Sequence, residues 1–443
     1  MAEEDSIDAE IRHLRSRIQE LELQKQEKIA AQTTTISTRT SSNTPSFESA
    51  LPSPTHVARY SRQLLCGAWD AAGQQRLSAS TVLVVGAGGI GSAVLPYLCG
   101  AGVGTIRLAD YDRVDTSNLH RQVLHNTPGR RKTDSARDRL QRLNPLVTIE
   151  TIDDAPLTQE TVDAAIRNVD CVVDASDNPA TRYVLNTACH RHTIPLVLAS
   201  AVQTTAQLTV YHYSPPHTVG TTEQLRRPCY QCLYPPRSQQ SNSSSSCNDV
   251  GVLGPVPGVV GVLQAMETLK VLTGYGQPLV DHVLLYEASD ATWLRLRKPQ
   301  KISSTCTLCG SANAPVDTTL LRGPACGTTP VDDGSVPSIP VKDFHARYYQ
   351  KPGTVLLDVR VPAQYALCRL PGAVSIPLAD WTKPPTPLQA SDDDLTYFCI
   401  CRRGIASHAA TQRLIALGVT NVLNIRGGLD AWRSQVDPNF PEY

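Results

Sequence analysis

The chain has 443 residues, with 41 basic and 41 acidic side chains and 41% apolar residues, and at roughly 150 residues per domain this length predicts two or three domains. The zero formal charge argues against a broad polyanion-binding surface, so we expect no direct nucleic-acid binding, and no run of about 18 apolar residues is present to span a membrane. Without a signal-peptide pattern, the 13 cysteines indicate metal binding or catalysis in a cytoplasmic protein rather than disulfides.

The first predicted element in chain order is a helix over residues 1–31. Its apolar residues recur at spacings of four and three, as in a coiled coil: Ile7, Ile11, Leu14, Ile18 and Leu21. So few heptads are marginal for a stable coiled coil, and a solvated single helix is the alternative. Residues 32–54 are rich in Thr, Ser and Pro, which predicts a flexible linker.

An α/β core follows the linker. Apolar, β-branched runs predict its strands at residues 81–86, 105–109, 147–152, 170–174, 195–199 and 207–211. Helical segments separate several of these runs, which favours a largely parallel sheet.

The first strand leads into the glycine turn Gly86-Ala-Gly-Gly-Ile-Gly91. In this context glycines let the backbone approach phosphates, and the following helix offers N–H groups to an anion. Asp110 comes 19 residues after Gly91, at the end of the next strand, where a carboxylate holds ribose hydroxyls. These features predict a nucleotide site but not which nucleotide, because an NAD enzyme would show the same. A purely structural turn is the other alternative.

Polar and cationic side chains beyond the second strand favour a triphosphate. They belong to one motif, Ser117, Asn118, Leu119, His120 and Arg121, which is followed by Lys132. Attack at an α-phosphorus spreads negative charge that Arg and Lys stabilise, whereas dinucleotide reduction does not need these cations. Asp174, Asp177 and Asn178 lie at the end of the strand predicted at 170–174, and they supply hard oxygen ligands for Mg²⁺.

Two CxxC pairs, Cys229/Cys232 and Cys306/Cys309, are separated by 73 residues. Four thiolates in a tetrahedral array form a common structural Zn²⁺ site, and a redox dithiol is the alternative for either pair alone. The long separation predicts a zinc clamp that joins a mid-chain loop to the end of the first domain. Cys247 closes a Ser-rich stretch between the pairs, where it is either a nucleophile or an incidental loop cysteine.

A second α/β unit follows a break rich in Pro, Gly and Thr. Its short buried strands are predicted at residues 355–360, 373–378, 395–400 and 421–425. The third strand leads into Cys401-Arg-Arg-Gly-Ile-Ala-Ser407, where loop N–H groups, a helix N-terminus and arginines favour a thiolate. A cysteine phosphatase needs an arginine where Ser407 stands, so this loop suits a persulfide better. We expect Cys399 to pack inside the unit.

These motifs together resemble a known fusion. Residues 55–310 resemble the adenylating domain of the MoeB/ThiF and ubiquitin-activating superfamily, and residues 337–443 resemble a rhodanese domain, with 311–336 as the linker. The similarity rests on RYSRQ, GAGGIG, DYD, SNLHRQ, GRRK, DASDN, both CxxC pairs, CNDVGVLGP and the CRRGIAS loop. The domain order resembles that of eukaryotic adenylyltransferase–sulfurtransferases that activate a ubiquitin-related modifier.

The resemblance implies roles for individual residues. Arg62, in RYSRQ, matches an arginine that such homodimers donate to the neighbouring subunit's ATP. Cys247 matches a cysteine linked to a covalent acyl intermediate, which either holds the acyl group as a thioester or resolves an acyl disulfide. Cys401 matches the persulfide carrier. The implied ATP and Mg²⁺ contacts are Gly89, Asp110, Ser117, Asn118, Leu119, His120, Arg121, Lys132, Asp177 and Asn178.

The implied reaction is ATP-dependent adenylation of the C-terminal glycine of a ubiquitin-like sulfur-carrier protein. Sulfur from the Cys401 persulfide, charged by a cysteine desulfurase or another rhodanese, then gives a thiocarboxylate. The implied uses are 2-thiolation of tRNA wobble uridine, molybdopterin synthesis and protein conjugation. Two alternatives stay open, an NAD-linked dehydrogenase with an accessory thiol domain and a non-catalytic modifier-binding scaffold.

Overall fold

The structure is a computed structural model, and it describes residues 53–66, 71–152, 155–214, 227–235, 251–300, 302–310, 334–378, 381 and 395–441. The chain divides into two compact units, Met1–Gln75 and Arg76–Tyr443. The predicted helix at 1–31, nearly all of the predicted linker at 32–54, Cys247 and most of the predicted linker at 311–336 lie outside the described residues.

The first unit is described from Ser53 onward. Helix α1, Pro54–Leu64, begins with proline in its first turn, and the Ser53 hydroxyl caps it by accepting the His56 N–H. Arg62 lies in the last turn of this helix. Helix α2, Ala71–Ala79, starts in this unit and continues into the second.

An eight-stranded sheet forms the centre of the second unit. Its strands in chain order are β1 (Thr81–Val85), β2 (Thr105–Ala109), β3 (Thr148–Ile152), β4 (Cys171–Asp174), β5 (Leu196–Val202), β6 (Thr205–Tyr211), β7 (His282–Glu287) and β8 (Thr292–Arg297). The spatial order is β3-β2-β1-β4-β5-β6-β7-β8. The first five strands of this order, from β3 to β5 through β2, β1 and β4, pair in parallel. Strands β6, β7 and β8 extend the sheet in antiparallel pairs.

Helices pack around this sheet. They are α3 (Gly89–Ala101), a 3₁₀ turn (Thr116–Asn118), α4 (Lys132–Leu143), α5 (Val162–Ala165), α6 (Pro179–His192), α7 (Tyr230–Leu233) and α8 (Pro255–Thr273). Helices α3 and α8 pack closely because Gly261 lacks a side chain, and a Cβ there would lie 2.6 Å from the Ile90 carbonyl oxygen. Among the described helices, none is both long and apolar enough to cross a bilayer.

The α/β prediction is confirmed, with two differences. The run at 207–211 lies in β6, which pairs antiparallel with β5, so the parallel part of the sheet ends one strand earlier than its apolar runs suggest. Strands β7 and β8 were not predicted. Most residues of β8 are exposed, so this strand lacks the apolar signature of a buried strand.

The C-terminal part of the second unit contains a five-stranded, all-parallel sheet. Its strands are β9 (Ser338–Pro340), β10 (Thr354–Asp358), β11 (Val374–Ser375), β12 (Thr396–Ile400) and β13 (Val422–Arg426), in the order β11-β10-β12-β13-β9. The helices are α9 (Val341–Arg347), α10 (Pro362–Leu367), α11 (Ile405–Ala416) and α12 (Gly428–Gln435). The predicted strand at 373–378 is wrong in extent, because only two of its residues pair, at the edge beside β10.

Candidate functional site

A pocket opens where β1, β2, β4 and β5 end. This is the carboxyl edge of the parallel sheet, where doubly wound α/β folds bind ligands. The residues predicted from sequence that line it are Gly89, Asp110, Asn118, Arg121, Lys132, Asp177 and Asn178. Residues separated by nearly ninety positions in the chain therefore meet at one site.

The glycine turn forms one wall of this pocket. Gly86 has a φ of +100°, and a Cβ at this position would lie 2.7 Å from the Ala175 carbonyl oxygen. Only glycine adopts this positive φ without strain and also has no Cβ to collide with that oxygen. Helix α3 begins at Gly89, and the first N–H groups of a helix have no acceptor within it. The turn therefore offers these donors to an anion.

Asp110 and Lys132 form the charged floor of the pocket. The Asp110 carboxylate accepts hydrogen bonds from the N–H groups of Ala87, at 2.7 Å, and Asp112, at 2.8 Å. Burial raises the pKa of Asp110, although the Lys132 charge opposes this. Burial also lowers the pKa of Lys132, but the carboxylates of Asp110, Asp112 and Asp177 outweigh it and raise that pKa. Lys132 is thus a buried cation, with its Nζ 2.8 Å from Asp112 Oδ2.

Asn118, the last residue of the 3₁₀ turn, and Arg121, three residues beyond it, line the pocket. Asp115 caps this turn by accepting from both the backbone N–H and the hydroxyl of Ser117, at 2.7 and 2.6 Å. An Arg121 Nη2 hydrogen donates to Asn118 Oδ1 at 2.5 Å, so the amide orients the guanidinium. Three other predicted residues of the motif, Ser117, Leu119 and His120, do not line the pocket.

Asp174 and Asp177 have different environments although they are three residues apart. Asp174 ends β4 and is fully buried, and burial raises the pKa of its carboxyl group. Asp177 and Asn178 lie beyond the strand and line the pocket, and Asn178 also caps α6 by accepting the Ala180 N–H at 2.9 Å. Of the three predicted oxygen donors, the pocket therefore presents Asp177 and Asn178.

The four cysteines of the CxxC pairs come together in the structure, with their sulfur atoms all within 4.8 Å of one another. Five Sγ–Sγ distances range from 3.2 to 3.9 Å. A Zn–S bond of about 2.3 Å implies a tetrahedral edge of about 3.8 Å. The donor set and its spacing fit a tetrahedral metal ion. This cluster of Cys229, Cys232, Cys306 and Cys309 is called the Cys₄ cluster below.

Cys401 lies in a backbone cradle at the end of β12. Its Sγ accepts the Gly404 N–H at 3.1 Å and lies 3.3 Å from the Ser407 hydroxyl. The cradle closes tightly, because Gly404 has a φ of +88° and a Cβ there would lie 2.8 Å from the Gly427 nitrogen. Helix α11 starts at Ile405, so its N-terminus faces the sulfur side of the loop. These contacts favour an anionic sulfur.

A profile of the ThiF family matches residues 60–308 of the chain, and a profile of the rhodanese-like domain matches residues 341–435. The chain belongs to the ThiF family.

Curated relatives carry both parts of this ThiF-family chain. A protein from Culex quinquefasciatus, named adenylyltransferase and sulfurtransferase MOCS3, is 38% identical over 406 residues, which cover 87% of this chain and 89% of the relative. A protein of the same name from Arabidopsis thaliana is 36% identical over 422 residues, covering 90% and 88%. Among solved structures, E. coli MccB with MccA-N7isoASN is similar at 23% identity and a TM-score of 0.48, covering 57% of this chain and 74% of that one.

Three further residues were predicted from the sequence of this ThiF-family chain: Cys399, Arg62 and Cys247. Cys399 is fully buried on β12, and burial raises the pKa of its thiol to about 12, as expected for a packing residue. Arg62 belongs to the first unit, and its role across a dimer stays a prediction. Cys247 lies outside the described residues, and its role is also a prediction.

Sequence reasoning missed one cation of the ThiF-family pocket, Arg182. A signal for it was present, because Arg182 follows Asn178 by four residues. Residues i and i+4 lie on the same face of a helix, so the cap residue and Arg182 reach the same side of α6. The motif DASDN ends before this position, so the motif alone does not indicate the arginine.

Proposed function

We propose that this ThiF-family chain adenylates the C-terminal glycine of a ubiquitin-like sulfur-carrier protein with ATP. The fused rhodanese-like part then provides the sulfur that converts the acyl-adenylate into a thiocarboxylate. The observation that carries the proposal is the presence, in one chain, of a pocket with Arg121, Lys132 and Asp177 on its walls and of a thiol cradle around Cys401. The names of the curated relatives agree with both activities.

In the first half-reaction a carboxylate oxygen of the carrier attacks the α-phosphorus of ATP, and pyrophosphate leaves. Negative charge grows on the phosphate oxygens, where a guanidinium, an ammonium and helix N–H groups stabilise it. Arg121 is held toward the pocket by Asn118, and Lys132 is a buried cation kept charged by its carboxylate neighbours. Asp177 and Asn178 would hold Mg²⁺, which when bound neutralises phosphate charge.

In the second half-reaction a persulfide on Cys401 attacks the acyl carbon, and AMP leaves. The product of that step is an acyl disulfide between the carrier and Cys401. A second thiolate must then attack Cys401 Sγ, which breaks the bond to the outer sulfur and releases the thiocarboxylate. A disulfide at Cys401 remains, and an external thiol must reduce it before the next cycle. We propose Cys247 as the second thiolate or, alternatively, as the holder of the acyl group in a thioester before sulfur transfer.

Further proposals complete this assignment. The Cys₄ cluster would hold one Zn²⁺ per chain, which fixes the segment of the second CxxC pair to α7. The active form would be a cytoplasmic homodimer in which Arg62 reaches the neighbouring subunit's ATP. A cysteine desulfurase or another rhodanese would supply the persulfide, and the thiocarboxylate would serve 2-thiolation of tRNA wobble uridine, molybdopterin synthesis or protein conjugation.

Intact-mass spectrometry of a ubiquitin-like carrier ending in Gly-Gly tests the proposal. The carrier, ATP, Mg²⁺ and a cysteine desulfurase with cysteine are incubated with the full chain. We expect replacement of one carboxylate oxygen by sulfur, together with carrier-dependent pyrophosphate exchange. Binding of a nicotinamide dinucleotide without exchange would favour the dehydrogenase, and carrier binding without ATP consumption would favour the scaffold. Either result would overturn the proposal.

A further inference from the structure

The guanidinium of Arg121 has two acceptors on its own turn, and one of them is a ring that gains and loses a proton. Its Nη2 donates to Asn118 Oδ1 at 2.5 Å, and its Nη1 lies 3.2 Å from His120 Nε2. An amide oxygen accepts a hydrogen bond at every pH, but a ring nitrogen accepts one only while it carries no proton. His120 itself does not line the pocket. Its contact with Arg121 is therefore its route to the chemistry.

The two contacts of His120 determine which ring nitrogen carries the hydrogen. Nδ1 lies 2.9 Å from the Ser117 carbonyl oxygen, which only accepts, so Nδ1 is the donor. A neutral imidazole has a single N–H, and this leaves a lone pair on Nε2. A guanidinium only donates, so the Arg121 Nη1–H points to that lone pair. The assignment follows from the chemistry of the two partners, and it is the neutral ring with its hydrogen on Nδ1.

The backbone that carries this ring is fixed by hydrogen bonds and by packing. The N–H groups of Arg121 and Gln122 both donate to the Asn118 carbonyl oxygen, at 3.0 and 2.9 Å. Gly254, at the start of α8, packs against the peptide of His120, because a Cβ there would lie 2.5 Å from the His120 carbonyl oxygen. A change of charge on the ring therefore acts on the neighbouring guanidinium and leaves the main chain of the turn in place.

The charged groups around the ring keep their own charge when the ring titrates. The guanidinium of Arg121 stays protonated. The carboxylate of Asp115 starts the same turn, where the Ser117 hydroxyl lowers its pKa most and the charges of Arg402 and Lys132 lower it further. Helix α8 presents an uncharged glycine to the turn. Histidine is the side-chain type that ordinarily changes charge between about pH 5 and 8, so the ring is the group of this turn that responds to pH.

We propose that His120 is a positioning residue, whose neutral ring holds the Arg121 guanidinium toward the phosphates and whose protonation releases it. A proton on Nε2 replaces the lone pair by an N–H, so the hydrogen bond to Nη1 is lost and two cations face each other. Of the two acceptors on the turn, Asn118 Oδ1 then remains. This inference rests on the proposed function, because it assigns ATP to the pocket. It adds a proton-dependent control of the adenylation rate.

Carrier-dependent pyrophosphate exchange, measured at saturating ATP and Mg²⁺ between about pH 6 and 8, tests the proposal. His120→Gln keeps an acceptor oxygen at a similar reach along the side chain, and its amide does not titrate. We expect the wild-type rate to fall from the upper to the lower end of this range about fivefold more than the His120→Gln rate, the effect of one exposed hydrogen bond. His120→Phe has no acceptor, and its rate should be reduced about fivefold at the upper end.

His192→Gln is the matched control. His192 is also exposed, and its Nε2 lies 3.2 Å from Asp163 Oδ1, away from the residues that line the nucleotide pocket. This variant makes the same chemical change, and its pH profile should equal that of the wild type. Arg121→Ala gives a second comparison. Adding His120→Gln to Arg121→Ala should leave the pH profile of the single variant unchanged, because the ring acts through the guanidinium that is missing.

Nitrogen NMR of the protein labelled with ¹⁵N-histidine gives a readout that does not depend on catalysis. The signals of His120 are identified by their absence in His120→Gln or His120→Phe. At the upper end of the pH range they should show a hydrogen on Nδ1 and none on Nε2, and at the lower end a hydrogen on both. A neutral ring with its hydrogen on Nε2 would overturn the inference.

Kinetic results would overturn it as well. They are equal pH profiles of the wild type and His120→Gln, a wild-type rate in His120→Phe at the upper end of the range, the same altered profile in His192→Gln, or an effect of His120→Gln that persists in Arg121→Ala. If His120→Gln does not fold, His120→Phe measures the contact instead. Failure of the proposed function is distinct, since the wild type itself would then show no carrier-dependent exchange at any pH.

Discussion

Replacing Arg121 with alanine should remove most of the adenylation rate and very little stability. Two of its hydrogen bonds, to Asn118 Oδ1 at 2.5 Å and to His120 Nε2 at 3.2 Å, stay within its own turn. Arg121 is half-buried and does not belong to the apolar core, so the free energy of unfolding should change by no more than about 0.5 kcal/mol. The catalytic loss should be far larger, because a preoriented donor to developing oxyanion charge contributes ~2.7–4 kcal/mol, or ~10²–10³ in rate.

Two further variants should lose less of the adenylation rate than Arg121→Ala. Arg121→Lys keeps a charge but lacks the two-pronged donor geometry of a guanidinium, so its rate should lie between those of the wild type and Arg121→Ala. Asn118→Ala keeps the guanidinium and removes the oxygen that orients it, and a loss of about tenfold is expected for one hydrogen bond to a charged group.

Carrier-dependent pyrophosphate exchange at saturating ATP is the assay, with the unfolding midpoint measured in parallel. The decisive comparison is the order of the rates, which we expect to be wild type, Asn118→Ala, then Arg121→Ala. A folded Arg121→Ala protein within about threefold of the wild type, well below the range for an oxyanion donor, would refute the assignment.

Three further predictions concern the thiols and the assembly. Cys306→Ser should release one Zn²⁺ per chain and lower the free energy of unfolding, since metal binding contributes to folding; atomic emission showing no metal in fresh, reduced wild type would contradict this. Cys401→Ala should keep normal pyrophosphate exchange and yield no thiocarboxylate, whereas Cys399→Ala should be nearly silent, and labelled sulfur found on Cys399 would reverse these roles. Arg62→Ala mixed with Asp177→Ala should regain activity in heterodimers, and no recovery after proven subunit exchange would count against a shared site.

Much of the fold followed from short stretches of sequence. The β-branched run of β1 and the glycines after it specify a strand and a turn within about ten residues, and Gly86 takes the positive φ that such a turn requires. Part of the cradle around Cys401 is local in the same way, because its Sγ accepts the N–H of Gly404, three residues on, and α11 begins at Ile405. Such features depend on near neighbours, so the sequence pattern predicts them without knowledge of the rest of the chain.

Other features were not marked clearly by the local sequence. The antiparallel hairpin of β7 and β8 carries exposed apolar side chains such as Trp293 and Leu294, so alternation of burial does not mark it. Predicting that Arg182 lines the pocket required knowing that Asn178 caps α6. Helix starts and strand pairing depend on what the segment packs against, and the local sequence pattern does not show these tertiary contacts.

The sequence by itself determined which residue types were available: a phosphate-binding glycine turn, cations beyond the second strand, two pairs of thiols and a persulfide-type loop. Only the tertiary structure decided which of them act together. The Arg121 N–H donates to the Asn118 carbonyl oxygen at 3.0 Å, and in this turn both side chains line the pocket while His120, between them, does not. The end of β4 places Asp174 in the core and Asp177 on the pocket wall. The CxxC pairs meet across 73 residues because the packing of the sheet brings the ends of that segment together.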